Sequence, residues 1–389
     1  MGDHAHLAAQ LAKLSGAMSS QLLGKSLFLT QQASEAELDH IFAVARSFEA
    51  MDRAGVKTPL LDGELAYAVF FDNSTRTKSA WAGAAARLGM SPVIVDGSST
   101  QVAHGETAEE TGAMLGMNAH ALGIRHDLIL GAGNSFMRDV AKGISDYLLA
   151  TGNSRKVPVV NLQCDVDHPT QVLADLMWLQ ERFPDGLAGK KIAVSWAYSP
   201  SYAKPLSVPQ GLASLMTRTG AHVRLAYPPG YRLMGDVMQL ADANARAAGG
   251  SFEIVDSMDA AFTGADVVYP KSWGPHDLML ERVAANRAGD PDELRSIERF
   301  SLERNARYTD WICDEERMSK TAGGDALYMH CLPADIGAEV SASVLERHRV
   351  NLAQEANKKI YIISALLAVS KVENLPERLR GLLAGDDGP

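Results

Sequence analysis

Cysteine is scarce in this chain, and the three present, Cys164, Cys313 and Cys331, lie far apart. That spacing offers no disulfide framework and suits a reducing cytoplasm. Long apolar runs are missing too, since none approaches the roughly 18 to 20 residues that a membrane span needs. The opening stretch, Met1 to Lys13, is rich in His and Ala and lacks the basic and apolar regions of a secretory signal. Positive charge is in deficit. A net charge of −10 argues against nucleic acid as the main partner and gives no support for an anionic membrane surface. A small anionic ligand responds to a local field, so overall acidity says nothing against one. No short repeat, low-complexity tract or Gly-x-x-x-x-Gly-Lys phosphate loop occurs. Gly131-Ala132-Gly133 begins like a dinucleotide fingerprint, but Phe136 occupies the third glycine position. What these absences leave is a soluble cytoplasmic protein.

What is present is ordinary globular material, 46% hydrophobic and 22% charged, in 389 residues. That length exceeds one typical core, so two domains are expected. Residues up to 55 read as helical, with an amphipathic stretch from Glu35 to Ala50. From Tyr67 onward strand and helix signals alternate. Strands are expected at Tyr67–Phe71, Pro92–Val95, Ala119–Ile124 and Val157–Leu162. Pro169 then takes the first-turn position of a helix running to about Phe183. Pro184 to Lys190 is a turn and the candidate junction. A second alternation places strands at Lys191–Trp196, His222–Tyr227, Phe252–Val255, Asp266–Tyr269 and Ala326–His330. Ser199 to Gln210, with Pro200, Pro205 and Pro209, reads as neither helix nor central strand. Lys359 to Val369 is an apolar helix, and Gly385 to Pro389 reads as a frayed tail. Two such alternations imply an α/β protein with two mostly parallel sheets.

One stretch stands out. Phe70-Phe71-Asp72-Asn73-Ser74-Thr75-Arg76-Thr77 follows a buried strand and opens a helix whose Trp81, Ala84, Ala85 and Leu88 share one face. Gly89 closes that helix as its C′ residue. Hydroxyls and a guanidinium thus sit where a helix presents unpaired N–H groups and its positive pole. The set fits a phosphate. An ordinary Ser/Thr N-cap followed by a solvated Arg fits the same residues, and on them alone both readings stand.

In parallel sheets ligands gather at the carboxyl ends of strands. The residues there are Ser74 to Thr77, Arg125, His168, Lys271 to Gly274 and Cys331 to Pro333. They are mutually consistent: the arginines and hydroxyls favour an anion, and His168 can polarise or protonate an oxygen.

Ser74-Thr75-Arg76-Thr77, Arg125, His168-Pro169-Thr170-Gln171 and His330-Cys331-Leu332-Pro333 resemble, in order and spacing, the signatures of the aspartate/ornithine carbamoyltransferases. The resemblance runs from about residue 20 to residue 370. Ser195 to Pro200, the three-proline segment and Lys271-Ser272-Trp273-Gly274 are similar to the knotted branch that includes the acetylornithine and succinylornithine enzymes. The resemblance implies two doubly wound parallel-sheet domains joined by long helices, with a trefoil knot in the second. It implies a carbamoyl-phosphate domain from residues 1–183 and 356–389 and a second-substrate domain from residues 184–355. It further implies a homotrimer with shared active sites, carbamoyl phosphate and a small amine or amino acid as substrates, and no cofactor.

Roles follow residue by residue from the same resemblance. Ser74, Thr75, Arg76 and Thr77 would hold the phosphate, and Arg125 would bridge phosphate and carbonyl oxygen. His168 and Thr77 would polarise the carbonyl, Gln171 would hold the carbamoyl NH₂, and the backbone carbonyls of Cys331 and Leu332 would face the carbamoyl and amine groups. A neighbouring subunit's Ser98 to Glu106 loop would complete the pocket. Lys271, Ser272 and Trp273 would meet the second substrate. Where the family opens its last helix with Asn-Arg-Met-His, this chain has Asn357-Lys358-Lys359-Ile360, so Lys358 would bring charge to the donor without the two-pronged fork of Arg.

Other readings compete for these residues. Cys164, Asp165, Asp167 and His168 suggest a metal cluster, but no second Cys/His pair at ligand spacing supports it. His330 is poorly placed as a base for Cys331, because adjacent strand-end residues point to opposite faces. Trp81 reads as core, and Trp273, in a loop, as the aromatic facing a ligand. A non-catalytic trimer that binds carbamoyl phosphate or another anion in a regulatory role is the alternative function, and Lys358 is the feature that favours it.

Overall fold

The computed structural model describes residues 3–201 and 204–384, so the expected frayed tail lies outside the described residues. The chain divides into two compact units. One comprises the residues up to His126, then Ala132–Cys164, then the segment from Asn357; the other comprises Asp127–Gly131 and Asp165–Ala356.

The first unit is built on a parallel sheet of β1 (Leu65–Phe70), β2 (Ser91–Asp96), β3 (Ala121–His126) and β4 (Val159–Cys164), in the order β2-β1-β3-β4. β4 is buried at every position, Asn161 and Gln163 included, as a strand covered on both faces must be. Each expected strand of this sheet is present. Trp81 is fully buried, as its helical spacing indicated. The helices Ala108–Asn118 and Gly133–Ala150 cross at backbone distance. A Cβ at Gly112 would lie 2.2 Å from the Val140 carbonyl oxygen, and one at Gly143 2.0 Å from that of Glu109. Only glycine lets the two backbones meet this closely.

The second unit carries β5 (Lys191–Trp196), β6 (His222–Ala226), β7 (Ser251–Val255), β8 (Val267–Lys271) and β9 (Leu327–Tyr328), all parallel, in the order β7-β6-β5-β8-β9. β9 is shorter than the expected Ala326–His330, because the chain turns away at His330. The proline-rich segment also differs from expectation. A helix begins at Ser207 and runs to Met216 with Pro209 in its first turn, where a missing N–H costs no helical bond. Sequence reading assigns no element to 276–305, where the structure has two helices, His276–Ala288 and Pro291–Asn305.

The helix Pro169–Arg182 is buried continuously from Pro169 to Leu179, its polar Thr170, Gln171 and Asp175 included. Sequence reading groups it with the first domain, whereas it clusters with the second unit. The Gln210 side-chain amide donates to the carbonyls of Asp165 (3.1 Å) and Val166 (2.9 Å) just before it. The apolar helix expected from Lys359 is the end of a longer one, Ala342–Lys371, whose residues up to Ala356 belong to the second unit and the rest to the first.

Candidate functional site

β1 runs into the helix Arg76–Arg87 through the turn that carries Asn73, Ser74 and Thr75. Thr75 is the N-cap residue, but no side chain caps the first turn. The plain N-cap reading of these hydroxyls therefore does not describe the turn. β1 connects to β2 on one side of itself and β3 lies on the other, so the order of the sheet reverses between β1 and β3. Ligands of open parallel sheets bind at such a switch point. Phe70, the last residue of β1, is the register partner of Arg125 on β3. The Phe71 N–H donates to the Arg125 carbonyl at 2.9 Å. The order of the strands thus brings Ser74–Thr77 and Arg125 to the carboxyl ends of neighbouring central strands.

Thr77 is buried, and its Oγ1 accepts a hydrogen bond from Lys359 Nζ at 3.4 Å. Lys359 is itself buried. The adjacent Lys358 points elsewhere: its Nζ lies 2.7 and 2.8 Å from the two carboxylate oxygens of Glu49, in the helix Glu35–Arg53. Sequence reading gives the donor's extra charge to Lys358, whereas the structure puts Lys359 beside the turn and commits Lys358 to an ion pair. Successive residues of a helix point about 100° apart, so one of two adjacent lysines faces each neighbour. Which one faces the turn depends on the packing of the long helix, and no sequence signal fixes that.

The loop after β2 coils into two short 3₁₀ turns, Gly97–Ser99 and Gln101–His104. A Cβ at Gly97 would stand 2.5 Å from the Phe71 ring, so glycine there lets the loop start against the residue that follows β1. Asp96 Oδ1 holds the first turn by accepting from the Ser98 N–H at 3.0 Å and its hydroxyl at 2.9 Å.

In the second unit His168 is the buried N-cap residue of the helix Pro169–Arg182. Its Nδ1 lies 3.3 Å from Thr170 Oγ1. Gln171 is buried on the same first turn and donates from Nε2 to Asp175 Oδ1 at 2.6 Å. The Cys164-to-His168 segment is tied down by ordinary bonds: Asn161 Nδ2 donates to Cys164 Sγ at 3.2 Å, and the Gly131 N–H donates to Asp165 at 2.7 Å. Among the described residues no group of three or more His, Cys, Asp and Glu is arranged to hold a metal ion.

β5 and β8 form the switch point of the second sheet, and Trp196 is the register partner of Lys271. Lys271 and Ser272 therefore occupy the ligand-binding end of that sheet. Lys271 is buried, and its Nζ donates to the Ser272 carbonyl at 2.8 Å. Burial lowers its pKa. Trp273 does not face a ligand as expected. It is 1% exposed, and its indole N–H donates to the Tyr231 carbonyl at 2.7 Å. Its own carbonyl accepts from the Trp196 indole at 2.9 Å. It belongs to an aromatic core with Trp196 and Tyr231, whose rings lie 4.6 Å apart.

Sequence reading missed Glu339. This fully buried carboxylate accepts from the Ser272 N–H at 2.7 Å, the Asp335 N–H at 2.9 Å and Lys204 Nζ at 2.8 Å. It thereby ties the loop after β8 to the loop after β9. Burial opposes its ionisation, but His330, Lys204 and Lys271 outweigh burial and hold its pKa well below the usual carboxylate range. Burial likewise works against the charge of Lys204, and Glu339 and Asp335 outweigh it. His330 is buried, with its pKa lowered by burial. Its Nδ1 accepts the Leu332 N–H at 2.8 Å, and its Nε2 lies 3.6 Å from Glu339. The imidazole is thus used to shape the turn. Leu332 has a left-handed φ of 51°, and the bond to Pro333 is cis.

A hydroxyl-lined helix start with two cations, and a second sheet with a buried lysine at its switch point, are the parts that an anion and a polar co-substrate require. Comparison with known proteins names the family that uses them. Residues 25–181 match the carbamoyl-P binding domain of the aspartate/ornithine carbamoyltransferases, and residues 206–370 match their Asp/Orn binding domain. YgeW of Escherichia coli (strain K12), named as a carbamoyltransferase, is 46% identical over 370 residues, covering 93% of each chain. N-acetylornithine carbamoyltransferase of Xanthomonas campestris pv. campestris (strain ATCC 33913) is 30% identical over 370 residues, covering 90% of this chain and 99% of its own. Among solved structures, an N-acetyl-L-ornithine transcarbamylase mutant complexed with carbamyl phosphate and N-succinyl-L-norvaline superposes with a TM-score of 0.72. It is 26% identical and covers 88% of this chain and 98% of its own. Ornithine carbamoyltransferase from Pyrococcus furiosus gives 0.71 at 27% identity, covering 90% and 97%. With both domains matched and relatives that follow nearly its whole length, the chain belongs to the aspartate/ornithine carbamoyltransferase family.

Proposed function

We propose that this carbamoyltransferase moves the carbamoyl group of carbamoyl phosphate to the amino group of a small amine or amino acid. The neutral amine nitrogen bonds to the carbonyl carbon, the bond from that carbon to the bridging oxygen breaks, phosphate leaves, and the nitrogen gives up a proton. Such a reaction needs a clamp on the leaving group, donors on the carbonyl oxygen and a positioned nucleophile. The observation that carries the reading is the Ser74–Thr77 turn at a sheet switch point, with Arg125 on the neighbouring strand and Lys359 against Thr77.

In this reading Ser74, Thr75, Arg76 and Thr77 hold the phosphate with their side chains and with N–H groups of the helix start. Arg125 bridges phosphate and carbonyl oxygen, and His168 with Thr77 polarises that carbonyl. Gln171 accepts from the carbamoyl NH₂, and the backbone carbonyls of Cys331 and Leu332 orient the carbamoyl and amine groups. Charge-assisted bonds contribute about 1.5–3 kcal/mol each, so three or four hold the donor without a metal. Lys359 takes the part that the family pattern assigns to position 358. Lys271 and Ser272 meet the second substrate, and Trp273 supports them from the core. The same reading takes the protein as a cytoplasmic homotrimer whose sites are completed by a neighbour's 98–106 loop, with a knotted chain in the second domain.

The names of the similar proteins set the order of an acceptor screen: ornithine first, then its N-acetyl and N-succinyl derivatives, then simpler amines. Phosphate release from carbamoyl phosphate that depends on one of these acceptors is the expected result. Donor binding without acceptor-dependent release across a broad panel would favour the non-catalytic, regulatory reading.

A further inference from the structure

Behind Gln171 and the His330 turn lies a pair of buried acids that the reaction itself does not use. Asp175 is fully buried on the helix Pro169–Arg182, and Glu355 is 1% exposed on the helix Ala342–Lys371. Asp175 Oδ1 accepts from Gln171 Nε2 at 2.6 Å, and its Oδ2 accepts from the Tyr269 hydroxyl at 3.2 Å. Glu355 Oε2 accepts from the His330 N–H at 3.4 Å. The two carboxyl groups are in hydrogen-bond contact with each other, and Glu355 Oε1 meets no protein donor. Carboxyl oxygens that touch out of water need a proton between them, because two adjacent negative charges cannot both persist there.

We propose that Asp175 and Glu355 share one proton, and that this acid pair positions the Gln171 amide and the turn after His330 for the carbamoyl group. The inference rests on the reading that Gln171 and the Cys331 and Leu332 carbonyls meet the donor. With Nε2 donated to Asp175, the end of Gln171 left for a ligand is the acceptor oxygen, the polarity that a carbamoyl NH₂ requires. Glu355, through the His330 N–H, fixes where the chain leaves β9 and so where the next two carbonyls stand. One proton therefore links the two ends of carbamoyl recognition, which lie far apart in sequence. The titratable groups that face the pair are the Tyr269 phenol, the Tyr328 phenol and the Cys331 thiol. Burial and the Asp175 charge both push the Glu355 pKa up, the direction that favours the shared proton. Rising pH removes the shared proton and sets two carboxylates against each other.

The test is infrared spectroscopy of the folded protein together with a pH profile of the Michaelis constant for carbamoyl phosphate. Wild-type protein at neutral pH is expected to show the carbonyl stretch of a protonated buried carboxyl, and Glu355→Gln to lose it. Glu355→Ala is expected to weaken kcat/KM for carbamoyl phosphate about tenfold, within the range of coupled buried networks. Glu355→Gln, whose amide donates to Asp175 in place of the proton, is expected to restore most of that loss and to abolish the alkaline loss of donor affinity. Circular dichroism separates misfolding from mispositioning in either variant. A wild-type protein without the band, a band unchanged in Glu355→Gln, or a wild-type alkaline limb in that variant overturns the proposal. A wild-type protein that shows the band but does not bind carbamoyl phosphate contradicts the functional reading and leaves the shared proton standing.

Discussion

Lys359 Nζ stands 3.4 Å from Thr77 Oγ1, while Lys358, one residue earlier, closes on both carboxylate oxygens of Glu49. Two adjacent lysines of one helix thus serve separate ends: one cation stands against the Ser74–Thr77 turn, and the other holds the helix to its neighbour. Replacing Lys359 by Met is expected to weaken carbamoyl phosphate binding by roughly ten- to a hundredfold, the loss of one charge-assisted contact. Calorimetric titration with the donor measures it. An unchanged dissociation constant would remove Lys359 from the site.

Lys358 carries the opposite expectation. Met at this position removes the buried one of Glu49's two cations and leaves the exposed Arg53, 2.5 Å away, as its partner, so the loss is that of one charge-assisted contact, about 1.5–3 kcal/mol. Denaturant unfolding should show that loss, and a Lys358→Met/Glu49→Leu double variant should recover most of it. A single variant that unfolds like wild type but no longer binds carbamoyl phosphate would return Lys358 to the donor site.

Glu339 sets an acid limit on stability. Its folded-state pKa lies below its ordinary value of 4.5, so the unfolded chain takes up the proton first. The stability it contributes is complete above that ordinary value and is lost as pH falls through the depressed folded-state value. Glu339→Gln should therefore be less stable than wild type at pH 7 and should lose less on acidification. Unfolding free energies measured at pH 7 and in mild acid test this, and parallel acid profiles for the two proteins would contradict it.

Lys271 offers a test that distinguishes the proposed acceptor site from the donor site. It is buried at the β5–β8 switch point, and its replacement by Met should raise the Michaelis constant for the acceptor while leaving donor affinity nearly unchanged. Equal loss of both would count against an acceptor site at this end of the second sheet.

The architecture was largely legible in the sequence because the strands are short, apolar and bounded by turn residues, so eight of the nine strands stand close to their expected positions. Pro209 misleads in the sequence because proline reads as a breaker, whereas here it lies in the first turn of a helix. Trp273 misled for a different reason. A loop residue is ordinarily exposed, but this loop folds over Tyr231 and Trp196 and buries its indole. Lys359, Glu339 and the Asp175–Glu355 pair were invisible, since each matters through partners distant in sequence. The motif residues at the strand ends could be read because each one's neighbours in sequence carry its context.

The central claim, that Ser74 to Thr77 hold the donor of a carbamoyl transfer, is tested most directly by acceptor-dependent phosphate release compared between wild type and Arg76→Ala. The expected result is release by wild-type protein with an amine or N-acylated amino acid, and loss of both release and carbamoyl phosphate binding in a variant that remains folded. An Arg76→Ala protein that binds carbamoyl phosphate and turns it over like wild type would contradict the claim.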